Sequence, residues 1–328
     1  MFLDINIYED NRIMGIVSDN RPLVSVLTLA YNHAPYIREC LDGILMQKTD
    51  FAFEILIHDD ASTDGTADII REYEAKYPDI IKPIYQTENQ YSKRVGISRT
   101  YQYPRVKGKY IAFCEGDDYW IDPLKLQKQV DFMEANPHVP CCFHTVDIYQ
   151  ENTKKYTKGF IPSFLKDNSK EGEFFTNEDR NEEWFAYILA VMYRSEDIEY
   201  LNEQREKYKF TFNDNHIIYY LMKDKRAYFF RDSMAVYRKN DGGIFGNKSE
   251  EYKLSCTYNI SKELYMNEPD VYTKHQYQCR IKEILKFYIN NGEYQKAFKW
   301  KKNHYKDLNK SYLYICSKIL LNLFKKRK

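Results

Sequence analysis

The sequence predicts an α/β fold, in which helices flank a mostly parallel sheet, followed by a C-terminal helical region. Apolar β-branched runs alternate with amphipathic helical segments from residue 22 to about residue 150. A helical pattern then extends from about Lys248 to the C-terminus. We therefore expect three regions: an N-terminal extension over 1–21, an α/β domain over 22–245 and a helical region over 246–328.

Five strands and three helices are predicted in the first half of the chain. The first strand, Leu23–Ala30, is apolar at nearly every position, which is typical of a strand buried on both faces. Gly292 and Glu293 are predicted to separate two helices of the C-terminal region. The other predicted strands are Phe53–Ile57, Ile81–Tyr85, Tyr110–Cys114 and Pro140–Tyr149, and the predicted helices are Pro35–Gln47, Asp64–Tyr77 and Pro123–Asn136.

Composition excludes several classes of protein. The 328 residues include 49 basic and 48 acidic side chains, which argues against binding of nucleic acid through overall charge. Seven cysteines without a CxxC pair indicate reduced thiols and a cytoplasmic location. The N-terminus lacks the basic and apolar segments of a secretory signal, and no apolar run approaches the ~20 residues that span a bilayer.

An acidic turn follows the fourth predicted strand. Glu115, Asp117 and Asp118 place three carboxylates within four residues, and such groups repel one another unless a cation neutralises them. Hard oxygen ligands favour Mg²⁺ or Mn²⁺. The alternative is a solvated acidic turn before the helix that begins at Pro123.

Polar residues also follow the first two strands. Asp60, in the doublet Asp59-Asp60, is suited to accept a hydrogen bond from the imide N–H of a nucleobase. Tyr31 is suited to stack on a base, whereas Ser62 and Asp64 are explained as helix caps. Because ligands bind beyond the carboxyl ends of parallel strands, these clusters predict one active site.

Residues 22 to about 245 resemble the family 2 inverting glycosyltransferases, which have a GT-A fold. The resemblance covers about two thirds of the chain and excludes the C-terminal helices. It depends on three motifs in order, Val24–Asn32, Asp59–Thr66 and Gly108–Trp120.

The resemblance implies roles for residues of all three motifs. Tyr31 and Asp60 would contact the base, and Asp117 would approach the ribose. Asp118 would ligate Mn²⁺ or Mg²⁺, and Glu115 stands where relatives have an aspartate. The residues expected to bind the donor nucleotide are Thr28, Ala30, Tyr31, Asp60, Arg99, Asp117 and Arg238, the last of these folding over the diphosphate.

An inverting transfer also needs a general base to deprotonate the acceptor hydroxyl. Asp214 precedes the apolar helix Ile217–Leu221 and matches an acidic residue of similar placement in relatives. The alternative is that Asp214 only caps this helix. Trp184 and Phe185 are expected either to line the sugar or acceptor pocket or to pack in the core.

The function implied by the resemblance is metal-dependent transfer of a sugar from a nucleotide diphosphate, most simply a UDP-sugar, to a glycan or lipid-linked oligosaccharide. Residues 312–328 form an apolar-striped segment that ends in four basic residues, predicting either contact with an anionic membrane or a packed helix. Two other functions stay open, a sugar nucleotidyltransferase and a non-catalytic nucleotide-sugar-binding protein.

Overall fold

The protein was analysed as a computed structural model, which describes residues 21–180, 185–208, 212–240, 242 and 248–308. The chain divides into two compact units. The first comprises Met1–Glu206 and Phe212–Gly242, and the second comprises Lys207–Thr211 and Gly243–Lys328.

The first unit is built on one sheet of ten strands. In spatial order its main path is β3-β2-β1-β4-β9-β6-β10-β5, with β7 paired to β6 and β8 paired to β10. The strands are β1 (Val24–Ala30), β2 (Phe53–Asp59), β3 (Ile81–Tyr85), β4 (Tyr110–Phe113), β5 (Tyr119–Trp120), β6 (Cys141–Gln150), β7 (Lys155–Thr157), β8 (Gly172–Phe175), β9 (Met192–Arg194) and β10 (Ala227–Lys239).

The direction of the strands changes across the sheet. Strands β3, β2, β1 and β4 are mutually parallel, and β6 is parallel to β10. Strand β9 is antiparallel to both β4 and β6 and so joins the two parallel groups. The predicted α/β fold is confirmed, and all five strands predicted in the first half are present within a residue or two of their expected bounds.

Helices cover the sheet of the first unit. Helix α1 buries an apolar stripe made by Ile37, Cys40, Leu41 and Ile44, as expected for a 3.6-residue period. The helices of this unit are α1 (Ile37–Leu45), α2 (Thr66–Lys76), α3 (Lys125–Ala135), α4 (Asp197–Arg205) and α5 (Asp214–Leu221), with a π-helical segment over Ser98–Gln102.

The second unit is helical and consists of α6 (Glu250–Asn267), α7 (Val271–Asn290) and α8 (Tyr294–Asn303). Gly292 adopts φ 73° between α7 and α8, which confirms the predicted turn. The apolar core of the second unit is formed by Tyr258, Tyr277, Ile281, Ile284, Leu285, Ala297 and Leu308. Among the described helices, none is both long enough and apolar enough to cross a membrane.

Candidate active site

The loops after β1 and β2 are joined by side-chain hydrogen bonds. Asn32, whose φ of 54° turns the chain, donates its backbone N–H to Ser62 Oγ over 2.9 Å. The side-chain oxygen of Asn32 accepts from the backbone N–H of Thr63, also over 2.9 Å. Asp64 Oδ2 accepts from the backbone N–H of Ala34. The side chains interpreted as helix caps therefore hold the two loops together at the carboxyl edge of the sheet.

Asp60 is buried directly after β2. Its Oδ1 accepts from the backbone N–H of Gln90 over 2.7 Å, and its Oδ2 accepts from that of Tyr91 over 3.0 Å. His58 Nε2 lies 3.6 Å from Asp60 Oδ1. The carboxylate thus anchors the loop that follows β3. Neighbouring Asp59 has a buried Oδ1 without a hydrogen-bond partner in the described structure, and burial raises its pKa.

The other residues expected to contact the base lie on or after β1. Thr28 and Ala30 are buried, and the carbonyl oxygen of Ala30 accepts from the backbone N–H of Asp60 over 2.9 Å. Tyr31 follows immediately and leaves 48% of its surface exposed. At the end of β1, a buried backbone is therefore followed directly by one accessible aromatic ring.

The acidic turn follows β4 and is closed by a tight approach to β1. The backbone N–H of Gly116 donates to the carbonyl oxygen of Leu29 over 2.8 Å. A Cβ at position 116 would lie 2.7 Å from His33 Nδ1 and 3.0 Å from that carbonyl oxygen, so any larger residue would force the His33 ring and β1 to shift. Carboxylate oxygens of Glu115, Asp117 and Asp118 all lie within 4.8 Å of one another.

Burial and the charges of neighbouring carboxylates disfavour the ionised forms of Glu115 and Asp118. Burial, together with the charges of Asp117 and Asp214, raises the pKa of Glu115 to about 8. Burial, with the nearby charge of Asp117, also raises the pKa of Asp118 well above its ordinary value. The turn therefore stores electrostatic repulsion that a bound cation would relieve.

Arg238, near the end of β10, ties that strand to the acidic turn. Its backbone N–H donates to Asp118 Oδ1 over 2.8 Å, and its Nε donates to the carbonyl oxygen of Asp117 over 2.9 Å. Its two terminal nitrogens donate to carboxylates of Glu151, over 2.8 Å, and Glu39.

The guanidinium of Arg238 is also enclosed by aromatic rings. Its Cζ lies 5.0 Å from the ring centroids of Tyr36 and Tyr119 and 5.4 Å from that of Tyr149. Only 6% of the side chain is exposed. In this structure the side chain of Arg238 binds protein groups, and its contact with a diphosphate stays a prediction.

Two residues that sequence reasoning did not place in the site hold Asp117. Asn240 Nδ2 donates to Asp117 Oδ2 over 2.9 Å, and His33 Nε2 lies 3.9 Å from the same oxygen. Burial lowers the pKa of His33 against the opposing charges of Asp117, Asp64 and Asp59. His33 directly follows the Tyr31-Asn32 pair, and that adjacency was the one signal available in the sequence.

Two tyrosines stand beside the carboxylates. The rings of Tyr187 and Tyr237 are 5.2 Å apart. Burial raises the pKa of both phenols, and the charge of Asp118 contributes to each shift. These rings form an aromatic wall next to the acidic turn, and nothing in the sequence around Tyr187 indicated this placement.

Asp214 is the first residue of α5. The N-cap is its neighbour Asn213, whose side chain forms a capping box with His216, so Asp214 is not the capping residue. Burial raises the pKa of Asp214 to about 6. The charge of Asp214 also contributes to the raised pKa of Glu115.

Other predicted residues lie elsewhere or outside the described structure. Arg99 Nη1 pairs with Glu206 Oε1 over 2.6 Å, and in the described residues it makes no contact with the acidic turn. Phe185 is 4% exposed and packs against Phe164, Phe175 and Phe229, so it belongs to the core. Trp184 and the segments 1–20 and 312–328 lie outside the described residues.

The residues present fit a divalent cation. The acidic turn supplies three hard oxygen donors that converge within 4.8 Å, and burial makes their shared negative charge unfavourable without a counterion. Within the described part of the chain, this is the cluster of acidic, His or Cys side chains that is suited to hold a metal.

Comparison with known proteins identifies relatives of the first unit. The family model described as Glycosyl transferase family 2 matches residues 25–241. An uncharacterized protein of Mycobacterium tuberculosis is 43% identical over 173 residues, which cover 52% of this chain and 46% of that protein. An Escherichia coli protein named UDP-Glc:alpha-D-GlcNAc-diphosphoundecaprenol beta-1,3-glucosyltransferase WfaP is 38% identical over 113 residues, or 34% of this chain and 42% of that protein.

A solved structure shares the fold. The mannosyltransferase PcManGT from Pyrobaculum calidifontis, in complex with GDP-Man and Mn²⁺, superposes with a TM-score of 0.52 at 17% identity, covering 93% of this chain and 87% of that one. At this identity the likeness concerns the fold alone. The chain spans less than half the length of the curated relatives that it matches first.

Proposed function

The chain belongs to glycosyl transferase family 2, and we propose that it transfers a sugar from a nucleotide diphosphate donor to an acceptor hydroxyl, with inversion at the anomeric carbon. The observation that carries this proposal is the acidic turn of Glu115, Asp117 and Asp118 at the carboxyl end of β4. This acidic turn lies next to the loops after β1 and β2, which side-chain hydrogen bonds join to each other. Ligands of α/β sheets bind at this carboxyl edge.

The donor nucleotide is proposed to lie over the ends of β1, β2 and β4. Tyr31 offers an exposed ring for stacking on the base, and Asp60 offers carboxylate lone pairs to an imide N–H. Asp117, fixed by Asn240, is proposed to meet the ribose. We propose UDP as the nucleotide; the name of the Escherichia coli relative, with UDP-Glc as its donor, supports this choice.

Asp118 and Glu115 are proposed to hold Mn²⁺ or Mg²⁺. The fold neighbour solved with Mn²⁺ supports a divalent ion. When bound, the ion supplies positive charge beside the diphosphate leaving group. Arg238 acts by fixing Asp118 through its backbone N–H, which sets the carboxylate before any ligand arrives.

Asp214 is proposed as the general base. It is not needed as the cap of α5, because Asn213 has that role. With a pKa of about 6, its carboxylate is ionised at neutral pH and yet basic enough to accept the proton of an attacking hydroxyl. The aromatic wall of Tyr187 and Tyr237 is proposed to face the C–H surface of a sugar.

The acceptor is proposed to be a glycan or a lipid-linked oligosaccharide. The Escherichia coli relative is named for an acceptor carried on diphosphoundecaprenol, which supports the lipid-linked alternative. A cytoplasmic location is proposed as well, since the six cysteines among the described residues are free thiols.

Isothermal titration of UDP with and without Mn²⁺ tests the site directly. We expect wild-type protein to bind UDP more tightly with Mn²⁺, and Asp118→Asn to lose that gain. Asparagine keeps an oxygen for the backbone N–H of Arg238, so the variant removes charge without removing that hydrogen bond.

Asp131→Asn is the matched control, because it removes one negative charge by the same substitution at an exposed position of α3. It should retain the gain in UDP affinity from Mn²⁺. An Asp118→Asn protein whose UDP binding still responds fully to Mn²⁺ would remove the metal assignment. Transfer of label from UDP-sugars to lipid extracts then separates an enzyme from a binding protein.

A further inference from the structure

The second unit carries an exposed surface that the proposed reaction does not use. Helix α8 packs inward through Ala297, which is fully buried, and through Trp300, whose Nε1 donates to the carbonyl oxygen of Ile281 over 3.1 Å. A different side of α8 and of the turn after it faces solvent. This side, named here the α8 surface, consists of Phe298, Lys299, Lys302, Tyr305 and Lys306.

The α8 surface combines apolar rings with cationic side chains. Phe298 is 57% exposed and Tyr305 is 55% exposed, although both rings are large and hydrophobic. Phe298 and Lys302 are four residues apart on one side of α8, and Tyr305 and Lys306 lie in the turn that follows the end of α8 at Asn303. In the described structure no carboxylate pairs with Lys299, Lys302 or Lys306, whereas nearby Lys296 pairs with Glu251 and Glu293.

We infer that the α8 surface docks on an anionic lipid bilayer. A phenylalanine ring makes no hydrogen bond to water, and a partner with an apolar interior would bury it together with the neighbouring ring of Tyr305. Lysines beside exposed aromatic rings match a bilayer surface, where rings enter the headgroup region and ammonium groups meet lipid phosphates. The three lysines supply the charge complementarity that an apolar partner alone would not need.

Two other occupants fit less well. In a symmetric contact between two copies, the same surface faces itself, so the lysines of one copy would approach those of the other. A polyanion that offers only phosphates would use the lysines but would leave Phe298 without an apolar partner. The net charge of the chain, only +1, argues against binding of nucleic acid.

Co-sedimentation with vesicles tests the inference on the full-length protein. The probes are phosphatidylcholine vesicles with and without phosphatidylglycerol. We expect wild type to bind the anionic vesicles, and K299E/K302E/K306E to lower its partition coefficient by about a hundredfold or more, since each of the three lysines near an anionic surface is worth about a fivefold change. F298S/Y305S should also weaken binding, and this loss should persist at high salt because it does not depend on charge.

The matched control is K253E/K274E/K286E, which changes net charge equally within α6 and α7 of the same unit. It should retain vesicle binding. An equal loss of vesicle binding in the control variant overturns the inference. Full vesicle binding by the α8 variants also overturns it and would assign the binding to residues beyond 308. A lipid-independent dimer that F298S/Y305S dissociates would also overturn it, in favour of a second copy. If the glutamate variant melts early, K299Q/K302Q/K306Q provides the same comparison.

Discussion

The backbone N–H of Arg238 donates to Oδ1 of Asp118 over 2.8 Å, so the end of β10 is bound to the acidic turn after β4. The side chain of the same arginine reaches Glu39 of α1 and Glu151 beyond β6. Three segments far apart in sequence thus converge on one guanidinium. The acidic turn is therefore held by a residue whose own positive charge is paired with the carboxylates of Glu39 and Glu151.

Arg238→Lys tests this structural role. Lysine keeps the positive charge but cannot donate in the fixed fork that reaches Glu39, Glu151 and the backbone together. We expect a loss of about 1–3 kcal/mol in unfolding free energy, as for a charged hydrogen-bond network that is broken, measured by chemical denaturation. UDP affinity at saturating Mn²⁺ should change little in the protein that remains folded.

The opposite result would support the sequence prediction that Arg238 contacts the diphosphate. If Arg238→Lys melts like wild type but binds UDP much more weakly, the guanidinium contacts the diphosphate after all. Lys239→Ala is a suitable control, since Lys239 is the exposed basic neighbour on the same strand.

Gly116→Ala is expected to distort the acidic turn. The new methyl group would lie 2.7 Å from His33 Nδ1 and 3.0 Å from the carbonyl oxygen of Leu29. Overpacking of this kind typically costs about 1–3 kcal/mol, which a thermal melt resolves. The Mn²⁺-dependent part of UDP binding should fall at the same time.

A double-mutant cycle with His33→Ala identifies the clash. Removing the imidazole relieves the shortest of the close contacts, so the double variant should be more stable than the sum of the single changes predicts. Strict additivity of the two changes would show that His33 does not press on position 116.

The pH dependence of stability should reveal the repulsion within the turn. The pKa of Glu115 is about 8 in the folded protein and about 4.3 in an unfolded chain, so the folded state holds a proton that the unfolded state releases. Unfolding free energy from this group therefore falls as pH rises from about 4.3 to 8 and is then constant. Glu115→Gln removes this loss, and its melting temperature without metal should exceed that of wild type at pH 8.5.

Wild type and Glu115→Gln must be compared with each other at each pH, because Lys125 changes the unfolding free energy with pH in the opposite direction. Burial lowers its pKa to about 7, and its contribution to unfolding free energy rises with pH above that value in both proteins. Mn²⁺ should stabilise wild type more at pH 8.5 than at pH 7 and should stabilise Glu115→Gln less. A glutamine variant that is no more stable than wild type at pH 8.5 would contradict a strained Glu115.

Some of this site was predictable because it depends on local sequence. The carboxylate turn, Asp60 and Tyr31 each follow a strand whose apolar run is long enough to recognise. Parallel strands then bring these positions to one edge of the sheet. The order of the elements was sufficient for that conclusion.

The contacts that were missed are long-range. Arg238 and Glu39 are separated by 199 residues, and no sequence pattern relates them. Strand β9 has three residues, too few for an alternating pattern to be visible. The side chain of Asn32 likewise bonds to the loop after β2, at Thr63, 31 residues away in sequence.

Asp214→Asn should separate donor binding from transfer. The substitution keeps the size of the side chain and removes the proton acceptor, while the acidic turn that is proposed to bind the donor is untouched. We expect near-normal UDP affinity and a loss of roughly 10²–10⁴-fold in turnover, the usual contribution of a positioned general base. Transfer to the acceptor must be followed directly, because slow hydrolysis of the donor by water would hide the loss.

The pH profile and a capping control complete the test of Asp214. A base must be ionised to act, so wild-type kcat/KM should rise with pH through about 6 and level off above it, and the variant should lack this rise. Asn213→Ala removes the capping box of α5 and should lose about 1 kcal/mol of stability while retaining most of its turnover. If Asp214→Asn instead behaved like the capping variant, with a lower melting temperature and nearly full transfer, Asp214 would be a structural residue and the base would lie elsewhere.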